Sequence, residues 1–360
     1  VGESTIVHIS EVNITPNSGM GRVEFYWEQA IRRAGYDFVH IGPNEVGRLI
    51  HKSFFSLKAY LYYRGIKKNV VAIIAHEPSS IFFINKKIPV FIESHGIENR
   101  YWEDIILSSG LKVSLKTRIL YPLWRLFPCN FGLRRASKLL LINNEDKEYV
   151  IKKFRRLDSD IFIFRNGVEM NIKAKIPQDF NVLFNGSWIE RKGIKLLIDA
   201  ATILYKKNYK IQYTLIGTGK GVAEVLNEWP EFLKSDVSVV PFFETSEENL
   251  FLSGASVVVL PSYFEGQPLS ILQAMAAGKC CITTNADGQK DFIINGINGL
   301  LFNKKDSNEL ANLITNCFEN RDMVRLIGDN ARNSMKDRNW NQVSDEVVRY
   351  LNNYISNFRK

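Results

Sequence analysis

Short apolar runs alternate along this chain with longer stretches in which apolar residues recur every three or four positions. Residues 6–9 read as a strand. Residues 19–34 carry Val23, Trp27, Ala30 and Ile31 at helical spacing. Further strands are expected at 38–41, 70–75, 90–92, 139–142 and 161–164. Helices are expected over 48–68 and over 113–137, the second interrupted at Pro122 and Pro128. The pattern then restarts, with strands at 181–184, 211–216, 237–240, 257–260 and 280–283. Helices are expected at 194–207, 221–226 and 269–277. A last helix, from Trp340 to about Phe358, is expected to pack back across the first lobe. Such alternation implies parallel sheets covered on both faces. Two consecutive blocks predict an α/β chain with two facing Rossmann-like domains. Ligands of such sheets bind beyond the carboxyl ends of the strands, so a cleft between the domains is the expected site. The boundaries fall at 1–170 for the first domain, 171–339 for the second and 340–360 for the returning helix. A polar linker lies at about 170–179 and contains Pro177.

Size agrees with this division, since 360 residues suggest about two domains. Four cysteines, Cys129, Cys280, Cys281 and Cys317, show no paired spacing. They read as small buried hydrophobes in a reducing compartment, and no metal site is expected. The chain opens without a signal-peptide pattern and has no long apolar run, so the expectation is a cytoplasmic protein. Charge changes the picture more. Residues 1–170 hold 25 basic and 17 acidic residues, whereas 171–360 hold 22 and 21. The excess concentrates in 48–90, with eight basic groups and one acid, and in 111–156, with twelve and three. Aromatics interleave with it: Phe54, Phe55, Tyr60, Tyr62 and Tyr63, then Tyr121, Trp124 and Phe127. A solvated helix face and an anionic membrane surface both fit this pattern. Nucleic acid fits it less well and is not expected as a partner.

The densest chemistry lies after the strand at 257–260. There Glu265-Gly266-Gln267-Pro268 leads into a helix that opens Leu269-Ser270 and carries Gln273. A carboxylate can accept hydrogen bonds from sugar hydroxyls, and the free amides of a helix N-terminus can meet a phosphate. A capped loop–helix junction fits the spacing equally. A second group follows the strand at 181–184: Gly186-Ser187-Trp188-Ile189-Glu190-Arg191-Lys192-Gly193. Two adjacent cations there can neutralise a diphosphate leaving group; a solvated Arg-Lys pair is the plain alternative. Gly217-Thr218-Gly219-Lys220-Gly221 lacks Walker spacing and reads as a tight strand–helix turn. Near the N-terminus, Gly19 and Gly21 join a strand to a helix, and either a ligand's close approach or a simple turn explains them. His95 sits where a strand should end, a place where both sites and structural histidines occur. Asp158-Ser159-Asp160 imitates a D-x-D metal motif but reads as a loop.

These segments, in this order, resemble the family 4 glycosyltransferases, which are retaining and of GT-B fold. The likeness covers nearly the whole chain. It is best at Asn166-Gly167-Val168-Glu169, at 186–193, at 215–219, from Leu260 through Glu265 to Gly278, and at Asn295-Gly296-Ile297-Asn298-Gly299-Leu300. The resemblance implies roles. Glu265 matches the first acid of the family's E-x7-E motif, which holds the donor sugar. Gln273 falls on the second, which usually binds the ribose. Lys192 matches the diphosphate-binding lysine. Ser187 stands where many members carry an arginine, and Arg191 can take over that charge. Gly19 and Gly21 match the N-terminal glycine loop. His95 resembles the histidine near the reacting sugar. Gly186, Gly217, Gly266, Gln267, Pro268, Leu269 and Ser270 complete the implied donor contacts.

The reading that follows is a retaining, metal-independent glycosyltransferase that needs no cofactor beyond its donor, a nucleoside diphosphate sugar. A UDP-sugar is favoured and a GDP-sugar comes next. The acceptor is a hydroxyl of a glycan or lipid-linked molecule in bacterial surface polysaccharide synthesis, and peripheral attachment to the inner face of the membrane is an expectation beside a cytoplasmic place. A nucleotide-sugar epimerase of the same fold is one alternative. A non-catalytic nucleotide-sugar-binding protein, suggested by Gln273 and Ser187, is the other.

Overall fold

The computed structural model describes residues 4–17, 19–84, 87–103, 114–170 and 177–358. Most of the expected linker (171–176), Ser18 and residue 113 lie outside the described residues. The chain divides into two compact units, one of residues 1–166 with 340–360, the other of 167–339.

In the first unit six strands form one parallel sheet: β1 (Ser4–Ile9), β2 (Asp37–Ile41), β3 (Asn69–His76), β4 (Val90–Glu93), β5 (Lys138–Leu141) and β6 (Ile161–Ile163). Their order is β2-β1-β3-β4-β5-β6. Central strands such as β4, buried at every residue, are apolar almost throughout because helices cover both faces of the sheet. Its helices are α1 (Gly19–Arg33), α2 (Pro43–Val46), α3 (Phe55–Arg64), α4 (Glu98–Tyr101), α5 (Leu115–Tyr121), α6 (Phe127–Arg135) and α7 (Asn144–Phe154).

The second unit repeats the plan with β7 (Asn181–Asn185), β8 (Gln212–Ile216), β9 (Val237–Val240), β10 (Val257–Leu260), β11 (Cys280–Thr284) and β12 (Leu300–Phe302). The order is β12-β11-β10-β7-β8-β9, again all parallel. The helices are α8 (Ile194–Lys206), α9 (Val222–Leu226), α10 (Glu248–Ser253), α11 (Leu269–Ala276), α12 (Ser307–Glu319) and α13 (Arg321–Ser334). Chain direction across each sheet reverses at one point: between β1 and β3 in the first unit, between β7 and β10 in the second. The loops leaving two adjacent strands diverge there and open a crevice. All four cysteines are free and buried.

The last helix, α14 (Trp340–Phe358), buries Trp340, Val343, Val347, Leu351 and Ile355, a stripe at helical spacing. It packs on α1, with the Trp340 ring stacked on Tyr26 at 4.5 Å and Asp345 paired to Arg33 at 2.8 Å. Tyr350 stacks on Phe162 at 4.6 Å.

Several elements differ from expectation. The 48–68 helix shrinks to α3 and a short 3-10 turn, Lys52–Phe54. The 113–137 helix does not break at its prolines. Residues Pro122–Leu126 form a π-turn between α5 and α6, in which the Phe127 N–H reaches the Pro122 carbonyl. One wider turn absorbs the proline ring without ending the helix. Pro128 follows in the next turn, where its missing N–H leaves one helical bond unmade without ending the helix. Helices α2, α4, α7, α10, α12 and α13 and strand β12 were not expected. The Asp158–Asp160 segment is a 3-10 turn whose Asp160 binds Lys138 at 3.0 Å.

One buried acid makes the first unit sensitive to pH. Glu77, just after β3, accepts a bond from the Ser94 hydroxyl at 2.7 Å and one from the Glu98 N–H at 3.2 Å. Burial nevertheless pushes its carboxyl up to about 8. The folded chain therefore holds a proton that the unfolded chain releases near 4.5, so stability from this group falls as pH rises from 4.5 through about 8. Glu77→Gln should remove that slope. Denaturant melts at pH 5 and pH 8.5 should show the variant gaining roughly 3 kcal/mol on wild type across the interval. An unchanged difference would mean that Glu77 is ionised in the fold.

Candidate active site

In the second unit the crevice between β7 and β10 is built from two loops pressed together. The chain leaves β7 at Asn185 and turns through Trp188, which is fully buried and whose N–H bonds to the Thr218 carbonyl at 2.8 Å. A 3-10 turn, Glu190–Lys192, then delivers two cations and ends at Gly193. Gly193 has φ 72°, and a Cβ there would stand 1.9 Å from the Pro261 carbonyl oxygen. Only glycine permits both the left-handed turn and this approach of the β10 exit. The Tyr263 N–H closes the seam on the Arg191 carbonyl at 2.9 Å.

This seam brings Arg191, Lys192 and Glu265 into one cluster. Lys192 Nζ lies 2.6 Å from Glu265 Oε1, and Arg191 Nη1 lies 3.5 Å from the same oxygen. Arg191 Nη1 also donates to the Phe264 carbonyl at 2.7 Å. Glu265 is buried, which by itself raises a carboxyl pKa; Lys192 and Arg191 outweigh burial and hold it below the usual value. The acid is thus ionised at neutral pH beside two cations, one of which, Arg191, keeps partial exposure. Gly186 lies against the Lys192 stem. Gly217, at φ 65°, turns the chain after β8, with its N–H on the Val240 carbonyl at 2.9 Å. Ser187 is exposed. Gly266, Gln267 and Pro268 are buried, and Leu269 and Ser270 open α11, where the first amides of a helix have no acceptor within it.

Two of the expected donor ligands have partners inside the protein. Gln267 Oε1 accepts from Arg338 Nη1 at 2.9 Å. Gln273, itself buried, spans both backbone groups of Glu169. Its Oε1 accepts the Glu169 N–H at 3.2 Å, and its Nε2 donates to the Glu169 carbonyl at 3.1 Å. The amide at position 273 therefore ties α11 to Glu169, near the start of the second unit. A carboxylate has no hydrogen for the second of these bonds.

The first unit gathers its own polar cluster at the carboxyl ends of β1 to β4. His95 Nε2 lies 2.6 Å from Glu93 Oε1, and His8 Nε2 lies 3.0 Å from Glu93 Oε2. His8 Nδ1 faces His40 Nδ1 at 3.0 Å. Burial opposes charge on both His8 and Glu93, yet each is stabilised by the other's charge. His8 is raised by Glu24 and Glu93, and Glu93 is lowered by His8 and His95. Burial, with the His8 charge, pushes His40 down to about 3. An imidazolium at His8 donating to a neutral His40 satisfies the contact between them. Glu24 stands 4.0 Å from His8 and is pushed up to about 7 by burial. Among the described residues His8, Glu24 and His40 place one possible metal-ligand atom each within 4.8 Å of one another. Both ring nitrogens of His8 are already engaged by His40 and Glu93.

Of the sequence candidates here, His95 joins this cluster. Gly21 answers to packing within the unit: a Cβ there would lie 2.6 Å from the Asn13 carbonyl oxygen and 2.7 Å from Thr15 Cγ2. Gly19 has φ 41° and open space about it. Sequence reasoning missed His8 and Glu93 as members of the cluster. The available signal was a charged or titratable side chain in strands that are otherwise apolar.

The Gln273 bridge yields a direct test. Gln273→Glu keeps the size but sets a carboxylate oxygen against the Glu169 carbonyl, at an expected loss of about 1–3 kcal/mol of stability. Thermal melts of the two proteins should show the variant lower. A variant as stable as wild type would show that the bridge is dispensable.

The comparisons with known proteins fall on this site. Residues 168–334 match the family model described as Glycosyl transferases group 1. An uncharacterized glycosyltransferase of Methanocaldococcus jannaschii is 28% identical over 204 residues, covering 55% of this chain and 56% of that protein. Across several such curated relatives the chain spans between 50% and 60% of their length. The N,N'-diacetylbacillosaminyl-diphospho-undecaprenol alpha-1,3-N-acetylgalactosaminyltransferase of Campylobacter jejuni is 23% identical over 336 residues, 87% of this chain and 85% of that one. In fold, the chain is similar to the sucrose-phosphate synthase of Thermosynechococcus elongatus, with a TM-score of 0.79 at 18% identity over 98% of this chain and 99% of the other. Two parallel doubly wound sheets and the likeness to solved structures give this chain a GT-B fold, and its second unit, with the Lys192–Glu265 pair where the sheet reverses, is similar to the Glycosyl transferases group 1 over residues 168–334.

Proposed function

We propose that the protein transfers a sugar from a nucleoside diphosphate sugar to a hydroxyl of a glycan or lipid-linked acceptor. Retention of anomeric configuration, independence of metal and a UDP donor belong to the same proposal, with a GDP-sugar as the next choice. The observation that carries it is the buried Glu265 carboxylate flanked by Lys192 and Arg191 at the crevice of a doubly wound sheet.

The chemistry follows from that triad. Departure of a nucleoside diphosphate breaks the anomeric C–O bond and gathers negative charge on the β-phosphate. Lys192 and Arg191, with the opening amides of α11, meet that charge as it develops. Glu265 accepts hydrogen bonds from sugar hydroxyls and fixes the ring, so that little motion separates the bound donor from reaction. In a front-face displacement the acceptor oxygen bonds to the anomeric carbon on the side the phosphate leaves, and the acceptor's proton passes to the departing phosphate oxygen. Protein cations neutralise the leaving group, so no step calls for a metal ion.

Bacterial surface polysaccharide assembly is the favoured setting, since the names of curated relatives include a transferase acting on a diphospho-undecaprenol acceptor and a capsular polysaccharide enzyme. No helix among the described residues is long and apolar enough to cross a membrane. The inner face of the cytoplasmic membrane is the proposed place of action.

Lys192→Ala should lower turnover by about 10²–10³-fold, measured as release of nucleoside diphosphate in the presence of acceptor; near-normal transfer would remove the scheme. A thermal-shift panel of UDP, GDP and their sugars should give one specific stabilising base. Conversion of the donor sugar without any acceptor would instead point to an epimerase. Turnover should also survive EDTA, and its loss with recovery on adding a divalent cation would overturn the metal-independent scheme.

A further inference from the structure

The longest helical segment between β4 and β5 turns an apolar edge to solvent. Along α5, the π-turn and α6, the residues Leu115, Ile119, Leu123, Phe127 and Phe131 recur at every fourth position. Their exposure runs from 36% (Phe131) to 73% (Leu115). On a regular α-helix, positions four apart drift by about 40° per step, so five of them would wind away from a single face. The π-turn Pro122–Leu126 holds more residues per turn and takes up part of that drift. The turn that carries the helix past Pro122 therefore also keeps these five side chains on one side.

A second exposed group belongs to the neighbouring helix. Phe54, Leu57, Leu61 and Tyr62 are exposed along the 3-10 turn and α3. Both α3 and α6 pack on the Glu77–Ser79 turn, and the His51 ring, just before α3, meets the Trp124 ring at 4.8 Å. The two groups thus belong to one region of the first unit. Residues 51–68 and 114–135 contain ten Lys and Arg and no Asp or Glu. Lys58, Arg64, Lys116, Arg118, Arg134 and Arg135 are all exposed beside the apolar groups.

This combination selects one kind of partner. Cores of protein–protein interfaces are depleted of lysine and of charge in general, and a bare apolar stripe of this length is unusual on a soluble surface. Long apolar side chains rimmed only by cations suit the boundary between acyl chains and anionic headgroups. We propose that the face formed by Leu115–Tyr121, Pro122–Leu126 and Phe127–Arg135, with α3 beside it, lies on an anionic lipid bilayer. Leu115, Ile119, Leu123, Phe127 and Phe131 enter the headgroup–acyl boundary, and the six cations meet the headgroups. The inference does not depend on the sugar-transfer reading, because its test uses neither donor nor acceptor.

The test uses the full chain and vesicles of phosphatidylcholine alone or mixed with phosphatidylglycerol. Sedimentation should carry the protein down with the mixed vesicles at low salt, much less with phosphatidylcholine, and less as salt rises. Lys116→Gln with Arg118→Gln should weaken binding roughly 25-fold, at about fivefold per charge. Leu123→Glu with Phe127→Glu should weaken it at least as much, with an unchanged thermal melt. Trp124 is the one tryptophan of six that is not buried. Its emission should shift to the blue on binding and be quenched by brominated lipid, and Trp124→Phe should lose the signal while still sedimenting. No sedimentation at low salt, or wild-type binding by the Leu123→Glu, Phe127→Glu protein, would overturn the proposal. So would a dimer in vesicle-free buffer that the same double variant abolishes, since a second copy would then cover this face.

Discussion

The second unit turns on a buried carboxylate kept ionised by two neighbouring cations. Glu265 is taken out of water, which disfavours its charge, and Lys192 and Arg191 restore it. That arrangement exists only because the β7 and β10 exits approach each other at atomic contact, through a glycine whose missing side chain leaves room for the Pro261 carbonyl. A sheet that ran in one direction without reversing would have no such crevice. The site thus follows from strand order first and side chains second.

Much of this could be read in the chain alone, for identifiable reasons. The strands of the second unit announce themselves because both sheet faces are covered, so they are apolar without alternation. Arg191, Lys192 and Glu265 were visible as charges in glycine-containing loops at strand ends. Their meeting in one site followed from the family resemblance and not from spacing, because Lys192 and Glu265 are 73 residues apart and are joined only through the order of β7 and β10. The same limit applies to Gln273. Its position in a helix was legible, but its partner, 104 residues away, was not. In the folded chain this side chain bonds both backbone groups of Glu169.

Other misreadings have local causes. Pro122 was expected to interrupt a helix. Buried Leu126, Cys129 and Leu133 hold the following turns against the unit, so one widened turn is the smaller disturbance. Helix α7 escaped notice because few of its residues are apolar, yet its ends carry ordinary signals. The Asn143 side chain accepts the Asp146 N–H at 2.7 Å, acids occupy the first turn and lysines the last. In the first unit His8 and Glu93 sit in strands where apolar residues were expected. Such polar positions in a covered sheet persist only with partners, and here each serves the other.

The return of α14 to the first unit bears on how the chain is made. Residues 167–339 form a compact body inserted into the first unit, whose helix α14 is synthesised after it. While the polypeptide emerges from the ribosome, the inserted body has all of its strands before its host is complete. The host meanwhile exposes the surface of α1 that Trp340, Val343 and Val347 will cover. Loss of residues 340–358 would therefore damage the unit to which they return, and leave the inserted unit that precedes them whole.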